Sequence, residues 1–287
     1  MSRAILVTGA TSGIGLALCK LLVRDHGCHV YLGARNASKG DGCLKGILEE
    51  VPAAAGKIEV VSIDVSDDAS VKACAEGLQA KGVSLYGLVN NAGVGLAQPD
   101  APQAADGILA TNLYGQKRVT EAMVGLMDPS EGRIVNVSSG AASAFVKGQD
   151  EATKKLFASP GSLEELEAGV KAAVAAGNVG WGNGYGLSKA ALSALTVLQA
   201  GLYPGLKVVS LSPGFIDTPM TEGFGARLTP EQGCKSSLKC LFEDVTSGFY
   251  YGSDGLRSPL TMTRDPGMPE YQGEDDPQQA TYNKPSN

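Results

Sequence analysis

A tyrosine and a lysine one helical turn apart are the residues of this sequence with the clearest capacity for acid–base chemistry. They stand in the segment Tyr185-Gly-Leu-Ser-Lys189. If this segment is helical, the phenol and the ammonium project from the same face of the helix. A phenol with its ordinary pKa of about 10 is a weak proton donor at neutral pH, and a neighbouring positive charge is expected to lower that pKa. The pair is therefore predicted to exchange a proton with a substrate.

A glycine-rich turn follows the first apolar run of the chain. Residues 4–8 are typical of a buried strand, and residues 13–25 have apolar side chains at helical spacing. Glycines let the backbone approach a pyrophosphate closely, and the N-terminus of the following helix points N–H groups and its positive dipole at the anion. The turn therefore predicts a dinucleotide site. Its cofactor-binding residues are predicted to be Gly9, Thr11, Ser12, Gly13, Ile14 and Gly15.

The residues after the second predicted strand indicate which dinucleotide binds. A site for NAD usually has an acidic residue here for the ribose hydroxyls. This sequence instead has Arg35 and Asn36, with Lys39 one turn later. A guanidinium can stack on adenine and pair with a 2′-phosphate, and a lysine adds positive charge. We therefore predict NADP(H) as the cofactor, with these three residues as contacts; the alternative is that the cations are solvated surface residues.

Short β-branched runs alternate with helical segments along the chain. The strand signals cover residues 4–8, 29–33, 58–63, 85–90, 133–137 and 206–211, and the helical signals cover roughly 13–25, 39–51, 67–81, 104–127, 185–202 and 230–242. This alternation predicts an α/β fold, a single doubly wound Rossmann-type domain with a parallel sheet of about seven strands. We expect the domain to cover residues 1–263, with a C-terminal tail over 264–287.

Two segments depart from this alternation. Residues 140–184 are far longer than an ordinary connection and precede the Tyr185 helix. Within this insert, Ser162-Leu-Glu-Glu165 is a capping box that predicts a helix to about residue 176, and 150–157 is a shorter helical candidate. The tail is rich in Pro, Gln, Asp and Gly, and is expected to pack loosely or to be disordered.

Composition and charge exclude several classes of protein. The net charge of −6 argues against nucleic acid as a partner, and no run approaches the roughly 18 apolar residues of a membrane span. The first apolar run begins almost at once, which leaves no room for a signal peptide, so we expect a cytoplasmic protein. The six cysteines form no CxxC pair and are expected to be reduced, with a redox role for Cys234 and Cys240 as the alternative. No metal site is predicted, because His26-Gly-Cys28-His29 fits a turn.

Further residues recur in the order and spacing of a known family. They are Asp64-Val65, Asn90-Asn-Ala-Gly93, Asn112, Ser139 and Pro213-Gly214 with Thr218. Together with the glycine turn and the Tyr185/Lys189 pair, this set resembles the classical short-chain dehydrogenases/reductases over about residues 3–252. The resemblance implies that Asp64 and Val65 contact the adenine and that Asn91, Ala92 and Gly93 line the cofactor. It also implies that Ile216 and Thr218 hold the nicotinamide carboxamide beside Pro213 and Gly214.

The resemblance also assigns catalytic roles. Ser139 would donate a hydrogen bond to the substrate oxygen, Asn112 would hold a water that links Lys189 to solvent, and Lys189 would bond the nicotinamide ribose. Ser138 is the alternative to Ser139, because strand alternation turns one of the two toward the site. Asn112 has the alternative of satisfying buried groups of its own helix.

The long interval between Ser139 and Tyr185 resembles that of the monomeric carbonyl reductases and of the salutaridine and menthone reductases. An insert folded over the Tyr185 helix would bury a face that tetrameric relatives use as a subunit interface, so we expect a monomer. The alternative is that the insert is a mobile substrate lid.

The predicted activity is NADPH-dependent reduction of a hydrophobic aldehyde, ketone or quinone to an alcohol. The candidate pocket residues are mostly apolar: Ala141, Phe145, Trp181, Phe215, Met220 and Phe224. One alternative is a dedicated biosynthetic ketoreductase or alcohol dehydrogenase for a single terpenoid or alkaloid. Another is a non-catalytic NADP(H)-binding redox sensor, against which the full set Asn112, Ser139, Tyr185 and Lys189 argues, since a sensor needs no proton donor.

Overall fold

A seven-stranded parallel sheet forms the centre of the computed structural model, which describes residues 2–96, 98 and 101–273. The strands are β1 (Ala4–Val7), β2 (His29–Ala34), β3 (Ile58–Ser62), β4 (Leu85–Asn90), β5 (Arg133–Val137), β6 (Lys207–Leu211) and β7 (Tyr250–Tyr251). Their order is β3-β2-β1-β4-β5-β6-β7, and every neighbouring pair is parallel. The chain reverses its direction of winding between β1 and β4, and ligands of such sheets bind outside the carboxyl ends of the strands at that point.

Ten α-helices in the described residues flank the sheet. They are α1 (Gly13–Arg24), α2 (Ala37–Glu50), α3 (Asp68–Ala80), α4 (Ala105–Leu109), α5 (Gln116–Met123), α6 (Gly140–Lys147), α7 (Glu151–Ala158), α8 (Leu163–Ala175), α9 (Tyr185–Leu202) and α10 (Lys235–Phe242). A π-helix, Ala110–Gly115, joins α4 to α5. Short 3₁₀ turns lie at Pro52–Ala54, Val124–Leu126 and Gln232–Cys234. The predicted doubly wound Rossmann-type fold is confirmed.

Side-chain alternation along the strands separates the two layers of helices. Ile5 and Val7 of β1 pack in one cluster with apolar residues of α1 and α10, whereas Leu6 packs in another with residues of α3 and α5. All three side chains are completely buried. Because both faces of a parallel sheet are covered by helices, its strands appear in the sequence as continuous apolar runs. This explains why the strand positions could be predicted.

Three helical segments differ from the predictions or extend them. The helix predicted over 104–127 is interrupted by the π-helix, and α6, which begins directly after Ser139, was not predicted. The helix after the capping box is present, and the Ser162 hydroxyl accepts a hydrogen bond from the N–H of Glu165 at 3.1 Å. The Glu165 carboxylate bonds the N–H of Gly161 instead of returning to Ser162.

The insert packs against the helix that carries Tyr185. Phe157 of α7 and Leu166 of α8 are completely buried in a cluster with Leu187 and Leu195 of α9. Burying one such side chain stabilises a fold by roughly 1.5–3 kcal/mol. Helices α7 and α8 therefore form an integral layer over α9, as the covering role predicted, and a lid role for the insert stays a prediction beside it.

The first part of the C-terminal tail is ordered by a buried ion pair. Arg264, whose side chain is completely buried, lies 2.7 Å from the carboxylate of Asp254, and that carboxylate also accepts from the N–H of Gly267 at 3.1 Å. Met268 and Tyr271 pack against buried Met262. Arg264, Met268 and Tyr271 thus attach residues 264–273 to the domain, while most residues of this segment are exposed, in line with the expected loose packing. Residues 274–287 lie outside the described residues.

The described residues contain neither a membrane-spanning helix nor a cluster of metal ligands. No helix there is long and apolar enough to cross a membrane. No group of three or more potential metal ligands occurs in that part of the chain.

Candidate active site

The glycine-rich turn leaves the N-terminus of α1 open to a ligand. Ser12 is the N-cap residue, but its side chain makes no capping hydrogen bond. Gly15 lies so close to its surroundings that a β-carbon would be 2.5 Å from the carbonyl oxygen of Gly9 and closer still to the amide of Asn91. Helix α1 can therefore approach the end of β4 at this residue without a side chain between them. An uncapped helix N-terminus in this place is suited to bind a pyrophosphate.

A hydrogen-bond network joins the turn to the end of β4. The Thr8 hydroxyl accepts from the main-chain N–H groups of Asn91 and Ala92, each at 3.1 Å. The Asn91 amide donates to the carbonyl oxygens of Thr8 at 2.9 Å and Gly9 at 3.2 Å. The structure thus brings Asn91 and Ala92 beside the glycine turn, as predicted, and the Asn91 side chain supports the turn itself.

Two cations stand at the carboxyl end of β2. Arg35 and Lys39 are exposed, and neither side chain has an ion pair or side-chain hydrogen bond within residues 2–96, 98 and 101–273. Asn36 caps α2, and its side chain accepts from the N–H of Lys39 at 2.9 Å. The adjoining Gly33 carbonyl accepts from Ala10 of the glycine turn at 3.0 Å. The two cations therefore follow a strand that bonds the glycine turn, and they are available to an anionic group.

The residues predicted to contact the adenine follow β3. The Asp64 carboxylate accepts from both the N–H and the hydroxyl of Ser66, at 2.9 and 2.6 Å. Val65 is buried, and its side chain lies against the π-helix at Gly115. Asp64 therefore stabilises its own turn, and Val65 forms an apolar surface beside it.

The loop after β6 closes on the glycine turn from the other side. A β-carbon on Gly13 would be 3.1 Å from the Thr218 methyl group, which places residue 218 directly against the turn. Ile216 is buried, and its carbonyl accepts from the Thr221 hydroxyl at 2.5 Å. Pro213 and Gly214 connect β6 to this loop. The predicted nicotinamide residues thus lie next to the predicted pyrophosphate residues.

Tyr185 is the first residue of α9 and is almost completely buried. Its ring packs against the main chain of Gly95, where a β-carbon would be 2.8 Å from Cδ2. Gly95 has a φ of +138°, which disfavours any other residue. Sequence reasoning did not identify Gly95 as part of the site, although a glycine two positions after Asn90-Asn-Ala-Gly93 is a signal that could have indicated it.

Lys189 lies on the same face of α9 as Tyr185, with its ammonium 5.7 Å from the centre of the tyrosine ring. The ammonium donates to the carbonyl of Val137 at 2.8 Å. Burial lowers the pKa of Lys189 to about 8. Burial raises the pKa of the Tyr185 phenol, and a hydrogen bond with the Ser139 hydroxyl acts in the opposite direction. The expected lowering of the phenol pKa is therefore wrong for this state, because the cost of burying a phenolate outweighs the favourable contacts.

The adjacent serines at the end of β5 face different partners. The Ser138 hydroxyl donates to the carbonyl of Lys189 at 2.8 Å and accepts from Ser193 at 2.9 Å, within the packing of α9. Ser139 is the N-cap of α6, and its hydroxyl accepts from the N–H of Ala141 at 3.1 Å and lies close to the Tyr185 phenol. The geometry favours Ser139 over Ser138 as the residue that contacts a substrate.

Asn112 occupies the π-helix and is completely buried. Its amide donates to the carbonyl of Val94 and to the hydroxyl of Ser188, both at 3.0 Å, and its oxygen accepts from the N–H of Val94 at 2.8 Å. The oxygen of Asn112 and the ammonium of Lys189 each lie 3.4 Å from the point that a β-carbon on Gly93 would occupy. Asn112 thus satisfies buried groups of Val94 and Ser188, which lie outside its own helix, and its oxygen and the Lys189 ammonium both lie close to Gly93.

An exposed aromatic patch adjoins Tyr185. The ring of Trp181 meets the ring of Tyr185 edge-on at 6.4 Å and that of Phe224 at 5.6 Å. Trp181 and Phe224 are 55% and 45% exposed, which is unusual for large apolar side chains in such contact. Phe215 is also exposed, whereas Phe145 is buried against Phe157 and belongs to the core of the insert.

Comparison with known proteins identifies the family. The sequence model of the short chain dehydrogenases matches residues 3–151. The chain is 28% identical to a (+)-neomenthol dehydrogenase of Arabidopsis thaliana, in an alignment that covers 87% of this chain and 95% of that protein. Its fold is similar to that of salutaridine reductase from Papaver somniferum, with a TM-score of 0.74, 27% identity and coverage of 87% and 99%. It is also similar to an NADPH-bound carbonyl reductase from chicken fatty liver, with a TM-score of 0.64, 25% identity and coverage of 88% and 97%.

Proposed function

The chain belongs to the classical short-chain dehydrogenase/reductase family, in the salutaridine reductase-like group, and we propose that it reduces a hydrophobic carbonyl compound with NADPH. The fold of this family binds a nicotinamide cofactor. The observation that carries the proposal is the convergence of Tyr185, Lys189 and Ser139 at the carboxyl end of the sheet, next to the glycine turn.

The residues present fit such a cofactor. The uncapped N-terminus of α1 suits the pyrophosphate, and the apolar surface of Val65 suits the adenine. Ile216 and Thr218 would hold the nicotinamide carboxamide, beside the glycine turn. When bound, the nicotinamide supplies the hydride, and the protein supplies position and a proton.

Tyr185 would donate its proton to the carbonyl oxygen of the substrate. Burial raises the pKa of this phenol, so it is protonated at neutral pH and carries the proton that reduction requires. Ser139 would donate a hydrogen bond to the same oxygen and stabilise the negative charge that develops there. The closeness of the two hydroxyls supports this shared target.

Lys189 and Asn112 would return a proton to the phenol. We propose that one water bridges these two groups, which both lie close to Gly93. This water would connect Lys189 with solvent after each turnover.

We propose NADPH rather than NADH because of the cations at the end of β2. Arg35 and Lys39 are without partners among the described side chains and lie where a 2′-phosphate would be bound. The similarity to a carbonyl reductase with bound NADPH supports this choice.

The aromatic patch supports a hydrophobic substrate. Trp181 and Phe224 present flat apolar surfaces beside the proton donor, and a substrate that covers them would remove this surface from water. The relatives named for neomenthol and salutaridine favour the alternative of an enzyme dedicated to one such compound. A redox sensor without activity is the third candidate, and it does not account for the arrangement of Tyr185, Lys189 and Ser139.

We also propose that the enzyme is a monomer. The helices of the insert cover α9 within one chain, so no second subunit is needed to bury its apolar residues. Analytical ultracentrifugation of the complete chain tests this directly, and a stable tetramer would refute it.

The activity is tested by following NADPH oxidation with a panel of aromatic aldehydes, quinones and bulky ketones. Turnover of many compounds supports a general carbonyl reductase, turnover of one supports a dedicated enzyme, and NADPH binding without turnover refutes the proposal. Tyr185→Phe is expected to lower the rate by at least about 10²-fold while NADPH binding is kept. The matched control is Tyr203→Phe, at the far end of the same helix, which is expected to keep full activity.

A further inference from the structure

A second tyrosine lies buried behind the candidate active site. Tyr250 begins the two-residue strand β7 and pairs with Ser210 of β6. Its side chain is 8% exposed. Neither the family resemblance nor the sequence motifs assign a role to this residue.

The Tyr250 hydroxyl bonds the main chain of Ser139. It donates to the carbonyl oxygen of Ser139 at 3.0 Å. The side chains of Ser212, after β6, and Ser143, in α6, lie close to the same hydroxyl. Tyr250 therefore lies between the end of β6 and helix α6, next to the serine that adjoins Tyr185.

The Ser139 carbonyl can accept the bond from Tyr250 together with the bond from its own helix. A carbonyl oxygen can accept twice, and that of Ser139 also accepts from the N–H of Ala142 at 3.0 Å. The nearby Ser212 hydroxyl accepts from the N–H of Gly214 at 3.3 Å. The main chain of Ser139 is thus held by helix α6 and by Tyr250.

We propose that Tyr250 is a positioning residue, which holds the main chain of Ser139 so that the serine hydroxyl meets the Tyr185 phenol. This inference rests on the proposed carbonyl reduction. The hydroxyl of Ser139 is directed by its backbone, and that backbone is fixed on one side by α6 and on the other by Tyr250. Burial raises the pKa of Tyr250, so its hydroxyl remains a donor over the whole pH range of the reaction.

The next residue in the chain provides a matched control. Tyr251 is as deeply buried as Tyr250 and belongs to the same strand, but it packs in the cluster on the opposite face of the sheet. Its hydroxyl accepts from the N–H of Thr246 at 2.8 Å, away from the site. Loss of this hydroxyl removes one buried hydrogen bond without touching Ser139.

The experiment is a double-mutant cycle on the full-length enzyme. Tyr250→Phe and Tyr251→Phe are each made alone and together with Ser139→Ala, and kcat, NADPH affinity and thermal stability are measured with an aromatic aldehyde as substrate. Tyr250→Phe is expected to lower kcat by about 10-fold with NADPH affinity unchanged, and to have no further effect when Ser139 is already alanine. Tyr251→Phe is expected to leave kcat unchanged.

A second readout separates positioning from general stability. In the direction of alcohol oxidation, Tyr250→Phe is expected to move the apparent pKa of the rate to higher pH, because a displaced Ser139 no longer favours the Tyr185 phenolate. A purely structural role would lower the melting temperature without moving this pKa.

The outcomes distinguish a failure of the positioning role of Tyr250 from a failure of the proposed carbonyl reduction. If Ser139→Ala keeps full activity, Ser139 has no catalytic role in the proposed function, and the positioning role of Tyr250 is refuted as well. If Ser139→Ala is impaired but Tyr250→Phe keeps full kcat, or multiplies the loss independently, the positioning role alone is refuted. Should Tyr250→Phe fail to fold, Ser212→Ala takes its place in the cycle, and an effect independent of Ser139 would again refute the inference.

Discussion

The main chain of Gly95 lies directly against the ring of Tyr185. A β-carbon at residue 95 would be 2.8 Å from Cδ2, which is well inside van der Waals contact. The neighbouring Val94 is in turn held at both its N–H and its carbonyl by Asn112. The loop after β4 therefore fixes the position of the tyrosine ring.

Gly95→Ala is expected to displace the phenol and slow reduction by about 10- to 100-fold. The glycine turn is untouched, so NADPH affinity should remain within a few-fold of the native value. The comparison is steady-state kinetics beside a fluorescence titration with NADPH. Gly77→Ala is the matched control, because Gly77 lies in α3 with open space around it; this change should keep activity and raise stability by about 0.5–1 kcal/mol. Full activity of Gly95→Ala would show that the loop does not set the ring position.

Replacing each of the adjacent serines should separate catalysis from stability. Ser139→Ala is expected to lower kcat by about 10²-fold, because it removes a donor to the developing negative charge. Ser138→Ala is expected to cost about 1–3 kcal/mol of unfolding free energy, because it leaves buried partners on α9 unsatisfied, while kcat stays within a few-fold. Urea unfolding and kinetics on both variants decide the assignment, and an exchange of the two phenotypes would make Ser138 the substrate contact.

Arg35→Asp is expected to shift the ratio of kcat/KM for NADPH over that for NADH by at least about 10-fold toward NADH. The new carboxylate would repel a 2′-phosphate and could bond the ribose hydroxyls instead. The same change at Lys45, which is exposed near the other end of α2 and paired with Glu49, is the control for surface charge. Equal ratios in the two variants would show that Arg35 does not bind the 2′-phosphate.

The lowered pKa of Lys189 predicts how the stability of the protein changes with pH. Its folded pKa of about 8 lies below the ordinary value of 10.5, so between these values the unfolded chain binds more protons than the folded chain. The native protein should therefore gain stability relative to Lys189→Met as pH rises through this window, by roughly 2 kcal/mol between pH 7 and pH 10. Urea unfolding of both proteins at several pH values measures the difference. A constant difference, or one that falls with pH, would contradict the lowered pKa.

The sequence was sufficient for the sheet because the strands are buried on both faces. Residues 85–90 and 133–137 were predicted as strands with the ends that β4 and β5 have in the structure. Strand β7 was not located, since Tyr250–Tyr251 is too short to show any periodicity. Helix α6 was missed because it depends on tertiary packing against α9, where Phe145 joins the cluster of the insert.

The candidate site was predictable as far as spacing along one helix or one turn determines it. The common face of Tyr185 and Lys189 follows from helical geometry alone. Their pKa values do not, because the extent of burial depends on residues far away in the chain, and burial reverses the shift expected for the phenol. The partners of Asn112 and the contact of Tyr250 with Ser139 are likewise products of tertiary structure.

The layer that α7 and α8 form over α9 affects how the protein responds to its own concentration. Since these helices are joined to α9 by the same chain, their effective concentration at its surface is set by the fold and not by the amount of protein. Dilution cannot uncover the helix that carries Tyr185, as dissociation of a partner subunit would. In the proposed monomer, the site around Tyr185 would therefore be complete in each folded molecule at any protein concentration.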